Sequence, residues 1–183
     1  MRLRLADLQD APVLAELSRQ LIENGLVWRY TPARISALIR DPDSLTLVAC
    51  AGPQIAGFAV LRFADVQAHL VLLCVLPAQQ RQGLGRALCD WLWVSARVAG
   101  IESVQLELRA DNPGAWLFYR RLGFPRSAHR AGVLRRADHG PAHGVAAARR
   151  AIVLSTGPGF AAGRCGPHRA FSVSTKHRVS GSP

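Results

Sequence analysis

The stretch with the clearest capacity for chemistry is Gln80-Arg81-Gln82-Gly83-Leu84-Gly85-Arg86, which follows an apolar run ending in Val75-Leu76-Pro77 and leads into a helical pattern. A strand that breaks into a glycine turn and then a helix aims several backbone N–H groups at one point. Those donors, with the positive end of the helix dipole, suit a pyrophosphate. Gly83 and Gly85 would let phosphate oxygens approach the backbone with no Cβ between, and Arg81 and Arg86 add charge at the rim. Two other phosphate motifs fail on the same residues. A P-loop needs Gly-Lys-Ser/Thr and there is no Lys here, and Gly-x-Gly-x-x-Gly breaks at Leu88. A plain strand-to-helix turn, with glycines serving geometry alone, is the competing account.

Alternating elements position this turn. Arg2–Leu5 reads as a short strand. Asp10 stands as the cap of a helix over about Ala11–Asn24, with Pro12 in its first turn, Val13, Leu14, Leu17 and Leu21 on one face, and Gly25 as its stop. Thr31 caps a second helix from Pro32, with Ile35, Leu38 and Ile39 inward and Pro42 beyond its end. Leu45–Ala51 and Ile55–Phe63 are strands joined by a turn at Gly52-Pro53. His69–Val75 is a nearly continuous apolar strand, as expected in the middle of a sheet. A helix over about Gly83–Ala99, a strand over Ser103–Arg109 and a helix over Pro113–Leu122, stopped by Gly123 and Pro125, complete the series. In the strand, Val104, Leu106 and Leu108 face the core, and Ser103, Gln105, Glu107 and Arg109 face the other way. On spacing alone, Glu107 is an ordinary solvated strand acid paired with an Arg. Likewise Asn112 is a helix cap, and Tyr119 packs into the core with Ala115, Phe118 and Leu122.

The 183 residues, 49% hydrophobic and 19% charged, suffice for one domain with a real core and exclude a wholly disordered chain. No apolar run reaches membrane-spanning length, and Asp7 and Asp10 stand where a secretory leader needs its apolar stretch, so a cytoplasmic protein is expected. Cys50, Cys74, Cys89 and Cys165 are scattered with no Cys-x-x-Cys pair, and read as small buried hydrophobes rather than metal ligands or disulfides. The net charge of +11 is uneven. Residues 1–125 carry 13 arginines against 11 acids, whereas 126–183 carry nine arginines and Lys176 against Asp138 alone.

Gln80-x-x-Gly83-x-Gly85 after its apolar strand resembles the acyl-CoA motif of the GNAT superfamily of N-acetyltransferases. Leu106-Glu107-Leu108-Arg109-Ala110-Asp111-Asn112, followed by Phe118-Tyr119-Arg120-Arg121-Leu122-Gly123-Phe124, is similar to that family's other motif. The resemblance covers roughly residues 2–125 and implies a mixed α/β (α+β) fold: a mostly antiparallel central sheet flanked by helices. It implies acetyl-CoA as co-substrate, with no metal. Backbone groups around Leu73, Cys74 and Val75 would hold the acetyl carbonyl and pantetheine, and Gln80, Arg81, Gln82, Gly83, Leu84, Gly85 and Arg86 the pyrophosphate. Asn112 would add a hydrogen bond to the pantetheine arm. By similarity to ribosomal-protein-alanine N-acetyltransferases, Glu107 would be the general base and Tyr119 the proton donor to the CoA thiolate. The acceptor implied is a protein N-terminal α-amine, with a small-molecule amine as the alternative. Leu26, Trp28 and Tyr30, between the first two helices, are candidates for the acceptor wall, although Trp28 could equally be core.

The family pattern stops at Pro125. Residues 126–183 are rich in Arg, His, Gly and Ala, without sustained period. Ala151–Ser155 and Ala170–Ser174 have strand composition, but Gly, Pro and Ser surround both. The segment is expected to be a basic tail without much order, and its abrupt onset points to a reading frame interrupted near codon 125. Without the two strands the family has there, the edge of the Ser103–Arg109 strand would be bare. A catalytically impaired acyl-CoA-binding remnant is therefore a second reading. A nucleic-acid-binding module recruited through the tail is a weaker one, because the tail lacks aromatics interleaved with Arg.

Overall fold

A computed structural model describes residues 1–109, 111–124 and the backbone of 149–155. Its strands are β1 (Arg2–Leu5), β2 (Ser44–Ala51), β3 (Gln54–Ala64), β4 (Gln67–Val75), β5 (Ser103–Arg109) and β6 (Arg149–Ser155). Its helices are α1 (Ala11–Leu21), α2 (Pro32–Arg40), α3 (Leu84–Val98) and α4 (Pro113–Arg121). The strands form one sheet in chain order, antiparallel throughout except for the parallel pair β4–β5. A parallel pair needs a crossover, and α3 supplies it.

Each sheet face carries its own core. On one face, Leu47, Ala59, Leu61 and Leu70 pack with Leu88, Leu92, Trp93, Tyr119 and Phe124 from α3, α4 and the segment after α4. On the other, Val48, Phe58, Val60, Leu72 and Cys74 pack with Leu14, Leu17, Ile35 and Leu38 from α1 and α2. Cys50, Cys74 and Cys89 are all buried. Loss of solvent around the Cys74 thiol pushes its pKa up to about 12. Cys165 lies outside the described residues. No helix among the described residues is long and apolar enough to cross a membrane.

Two departures from the sequence pattern have clear causes. Asp10 does not cap α1. Its carboxylate accepts from both Arg4 Nη atoms at 2.7 and 2.9 Å, and from the Asp7 N–H at 2.7 Å, because a 3-10 turn over Leu8–Asp10 precedes the helix. The helix then ends at Leu21, and its inner face is Ala11, Leu14, Ala15, Leu17 and Ser18. Val13 and Leu21 are exposed. The expected bare edge of β5 is also corrected. β6 pairs with β5 along its whole length, from Ser103↔Ser155 to Arg109↔Arg149. Ala151–Leu154 is an aliphatic, partly β-branched run, and pairing beside an existing strand outweighs its Gly- and Ser-rich surroundings. Ala170–Ser174 and the rest of the tail fall outside the described residues.

The Arg4–Asp10 pair ties β1 to the start of α1. The hydrogen bond from Arg4 holds the Asp10 carboxyl below its ordinary value. A carboxyl depressed in the folded state stabilises above its unfolded pKa of about 3.9, and that contribution is lost as pH falls through the folded value. Asp10→Asn is expected to cost about 2 kcal/mol at pH 7 and much less at pH 3, read by urea denaturation at both pH values.

Candidate functional site

The site begins with one extra residue in β4. The β3–β4 register runs Val60↔Leu72 and then Leu61↔Leu70, so Val71 is bulged out of the ladder. Val71 and Leu72 consequently point to the same face, toward α1 and α2. Ala68 and Leu70 before the bulge, and Leu73 and Val75 after it, pack against the α3–α4 side. A bulge bends its strand and increases local twist. The parallel ladder between β4 and β5 closes at Leu70↔Leu106, although β4 continues to Val75 and β5 to Arg109. Beyond the bulge the two strands separate, and the β4 edge from Val71 to Val75 has no register partner in β5. Leu73, Cys74 and Val75 therefore stand on an open strand edge. The Cys74 side chain points away into the α1–α2 core.

The open edge leads directly to the glycine turn. A 3-10 turn over Pro77–Gln79 follows β4, and α3 starts at Leu84. Gly83 takes φ +85°, and a Cβ there would meet nothing within 4 Å. That left-handed conformation suits glycine, so its role is the backbone bend. Gly85 has a different reason: a Cβ would lie 3.2 and 3.3 Å from Phe118 ring atoms and 3.8 Å from Val75 Cγ2. It lets α4 close against the start of α3. Each glycine thus has a geometric reason of its own, separate from the phosphate approach expected of it.

Ala87 N–H bonds Gly83 O at 2.9 Å, so the N–H groups of Leu84, Gly85 and Arg86 lie outside the helical ladder, as in any first turn. No side chain caps them from Gly83. Arg81, exposed, sits at φ +64°, an uncommon conformation for a non-glycine residue. Arg86 Nε lies 3.5 Å from Asp90 Oδ2. Gln80 and Gln82 brace the turn: Gln80 Nε2 donates to Val75 O at 3.0 Å, and Gln82 Nε2 to Ala78 O at 3.2 Å.

Across the opening, Val104 and Leu106 are buried and Glu107 is exposed on the opposite face of β5. Asn112 Oδ1 accepts from Ala115 N–H at 2.9 Å, so it caps α4 as its position suggested. Tyr119 is buried, with its ring edge-on to Phe118 and Phe124 at centroid distances of 5.1 and 5.5 Å. Burial pushes its phenol well above the ordinary value, so it stays protonated.

The loop between α1 and α2 depends on a residue that pattern reading passed over. Glu23 is buried, and its carboxylate accepts from Arg29 N–H at 2.7 Å, Tyr30 N–H at 3.2 Å and Ser18 Oγ at 3.1 Å. In the sequence Glu23 stands inside the helix expected over about Ala11–Asn24, where one more acid is commonplace; the helix ends at Leu21 instead. Trp28 is not core: its Nε1 donates to Tyr30 O, and the Arg19 guanidinium lies 5.2 Å from its ring centroid. Arg109 donates to Asp111 at 3.0 and 2.8 Å, and to the Asn24 carbonyl at 3.1 Å, which joins the end of β5 to this loop. That pairing holds the Asp111 carboxyl below its usual range. Among the described residues, no group of three or more His, Cys, Asp or Glu is placed to hold a metal ion.

Gly83→Ala is expected to cost about 1 kcal/mol through its positive φ, and Gly83→Asn less, because Asn visits this conformation. Chemical denaturation of the pair tests the bend. Glu23→Gln places an amide NH2 where the backbone N–H groups of Arg29 and Tyr30 can only donate, leaving Ser18 Oγ as the one partner able to accept. It should cost about 1–2 kcal/mol and speed amide hydrogen exchange at Arg29 and Tyr30 while leaving α3 protected.

Residues 12–124 match the family model described as Acetyltransferase (GNAT) family. The chain is 39% identical over 71 residues to the ribosomal protein bS18-alanine N-acetyltransferase of Escherichia coli (strain K12), an overlap of 39% of this chain and 48% of that protein. It therefore spans about half the length of the first curated relatives it matches. It is 33% identical over 121 residues to the N-alpha-acetyltransferase RimI of Mycobacterium tuberculosis, covering 64% of this chain and 73% of that one. The crystal structure of Ard1 from Thermoplasma volcanium aligns with a TM-score of 0.62 and 29% identity, over 69% of this chain and 84% of that one. The family match takes in the bulged strand, the glycine turn, β5 and α4, and on it the chain belongs to the GNAT acetyltransferase family.

Proposed function

We propose that the chain is an acetyl-CoA-dependent N-acetyltransferase that acetylates a protein N-terminal α-amine by direct transfer in a ternary complex. The observation that carries this reading is the separation of β4 from β5 after Leu70↔Leu106. It leaves an open strand edge that runs into the first turn of α3. Such an edge suits the amide groups of an extended pantetheine, and the first-turn N–H groups with Arg81 suit a pyrophosphate. Asn112, with its carbonyl oxygen committed to the cap, has its amide group to offer the pantetheine arm.

In the transfer, the neutral amine attacks the thioester carbonyl, whose oxygen is polarised by backbone N–H groups near Leu73–Val75. Glu107 takes the amine proton, directly or through one water. As the carbon–sulfur bond breaks, Tyr119 gives its phenolic proton to the sulfur. A phenol held protonated by burial is a weak acid, but the same low-polarity surroundings raise the proton affinity of the departing thiolate. The preference for a protein N-terminus is supported by the activities that name the Escherichia coli and Mycobacterium tuberculosis relatives and by the exposed acceptor-side loop around Trp28.

The test pairs binding with turnover on the full chain. Acetyl-CoA titrated calorimetrically should bind the parent chain and Glu107→Gln equally, while Glu107→Gln lowers kcat on an Ala-initiated peptide by about 10²–10⁴-fold. Unchanged turnover in Glu107→Gln removes it as the base. Absence of acetyl-CoA binding by the folded parent chain identifies a non-functional remnant.

A further inference from the structure

A cleft of about 350 Å³ lies on the sheet face that carries Glu107. Its polar lining comes from Tyr30 just before α2, Arg34 in the first turn of α2, Arg62 near the end of β3, Gln67 and His69 on β4, and Gln105 on β5. Among the described residues, no acidic side chain lines it. The Arg34 guanidinium is 5.6 Å from the Tyr30 ring centroid, a cation–π contact that favours this placement. No carboxylate of a described residue lies within 4.0 Å of Arg34. Arg62 Nε is 3.8 Å from Asp41 Oδ2, beyond hydrogen-bond reach. The Asp41 oxygens are engaged by the Asp43 N–H at 3.0 Å and by Ser44 Oγ at 3.1 Å. The Arg34 fork is therefore open to a planar anion, and Arg62, ion-paired with Asp41 but not hydrogen-bonded to it, can add a second contact beside it. Gln67 and Gln105, bonded to each other at 2.9 Å, form the floor.

The position of the cleft says which anion. Gln105 and Glu107 share one face of β5, two residues apart, so the floor begins roughly 7 Å from the Glu107 position. A peptide advances about 3.3 Å per extended residue. An extended peptide with its N-terminal amine at Glu107 and running toward Gln105 would bring its second and third side chains over the cleft that Arg34 and Arg62 line, Arg62 standing in the same cross-strand row as His69 and Gln105. We propose that this cleft selects acceptor peptides with acidic side chains at the second and third positions, their carboxylates held by Arg34 and Arg62. The inference rests on the reading of the chain as an N-terminal acetyltransferase and names its substrate class.

The test uses peptides beginning Ala-Glu-Glu, Ala-Gln-Gln and Ala-Lys-Lys, each with a free N-terminus and a C-terminal fluorophore. Binding to the full chain is read by anisotropy at physiological ionic strength, with and without CoA, and acetylation of the same peptides is followed in parallel. The acidic peptide is expected to bind about tenfold more tightly than the Gln peptide, and the Lys peptide most weakly. Arg34→Gln and Arg62→Gln should each cut that advantage about threefold. Arg97→Gln, on α3 behind the opposite sheet face, is the control for net charge and should leave it unchanged. Equal binding of the three peptides, or an equal loss in Arg97→Gln, overturns the proposal. Acidic preference without acetylation leaves the cleft assignment standing and removes the acetyltransfer reading. Acetylation of all three peptides at one rate does the reverse.

Discussion

The site depends on a parity change in one strand. In an unbroken β4, residues 68, 70, 72 and 74 would share a face. With Val71 bulged, Ala68 and Leu70 belong to the α3–α4 core, and Leu72 and Cys74 to the α1–α2 core. Both halves of the strand are therefore anchored, on opposite sides, by buried aliphatic side chains. Sliding the register to remove the bulge would exchange Leu72 and Cys74 with Leu73 and Val75 between the two cores, and misfitting side chains in both would cost about 1–3 kcal/mol each. Two hydrophobic cores thus hold the bend, and the bend holds β4 away from β5. The opening is a consequence of core packing rather than of any side chain that lines it.

Around that opening, the irregular segments are tied to regular ones by side chains bonding to backbone. Gln80 fastens the glycine turn to the last residue of β4, Arg109 fastens β5 to the loop after α1, and Asn112 starts α4. Glu23 gathers Ser18, Arg29 and Tyr30 onto one carboxylate. Each such bond contributes only about 0.5–1.5 kcal/mol net. Their effect is positional: they reduce the conformations open to three loops that converge on one place. A site built from loops on a rigid sheet needs this bracing.

The order of elements was legible because each carries its own punctuation. Thr31-Pro32 begins α2 and Asn112-Pro113 begins α4, and the alternation in Ser103–Arg109 placed Val104 and Leu106 inward and Glu107 outward correctly. The bulge was not legible, because a strand buried on both faces reads as one apolar run and gives no period to interrupt. The reason for Gly85 lies in Phe118, thirty-three residues away in sequence, and no local pattern contains it. Asp10 looked like a cap because Asp before a helix usually is one. Its actual partner, Arg4, becomes available only when β1 pairs with β2. The Gly-rich flanks of β6 argue against a strand, whereas the edge of β5 decides it.

Charge on this chain acts on two length scales. The excess that makes the sequence +11 sits mostly beyond residue 125, and at physiological ionic strength its field is screened over about 8 Å. Such charge can attract acidic partners but cannot tell one acidic sequence from another. Discrimination requires cations held near the amine of the proposed acceptor, and Arg34 and Arg62 are placed for it because they rise from elements packed on the same sheet as Glu107. On the proposed reading, Glu107 stands toward one end of the face and Arg34 and Arg62 toward the other. An acceptor with a positive amine and negative side chains would then favour one direction along the cleft, so its register would follow from electrostatics before any close contact forms.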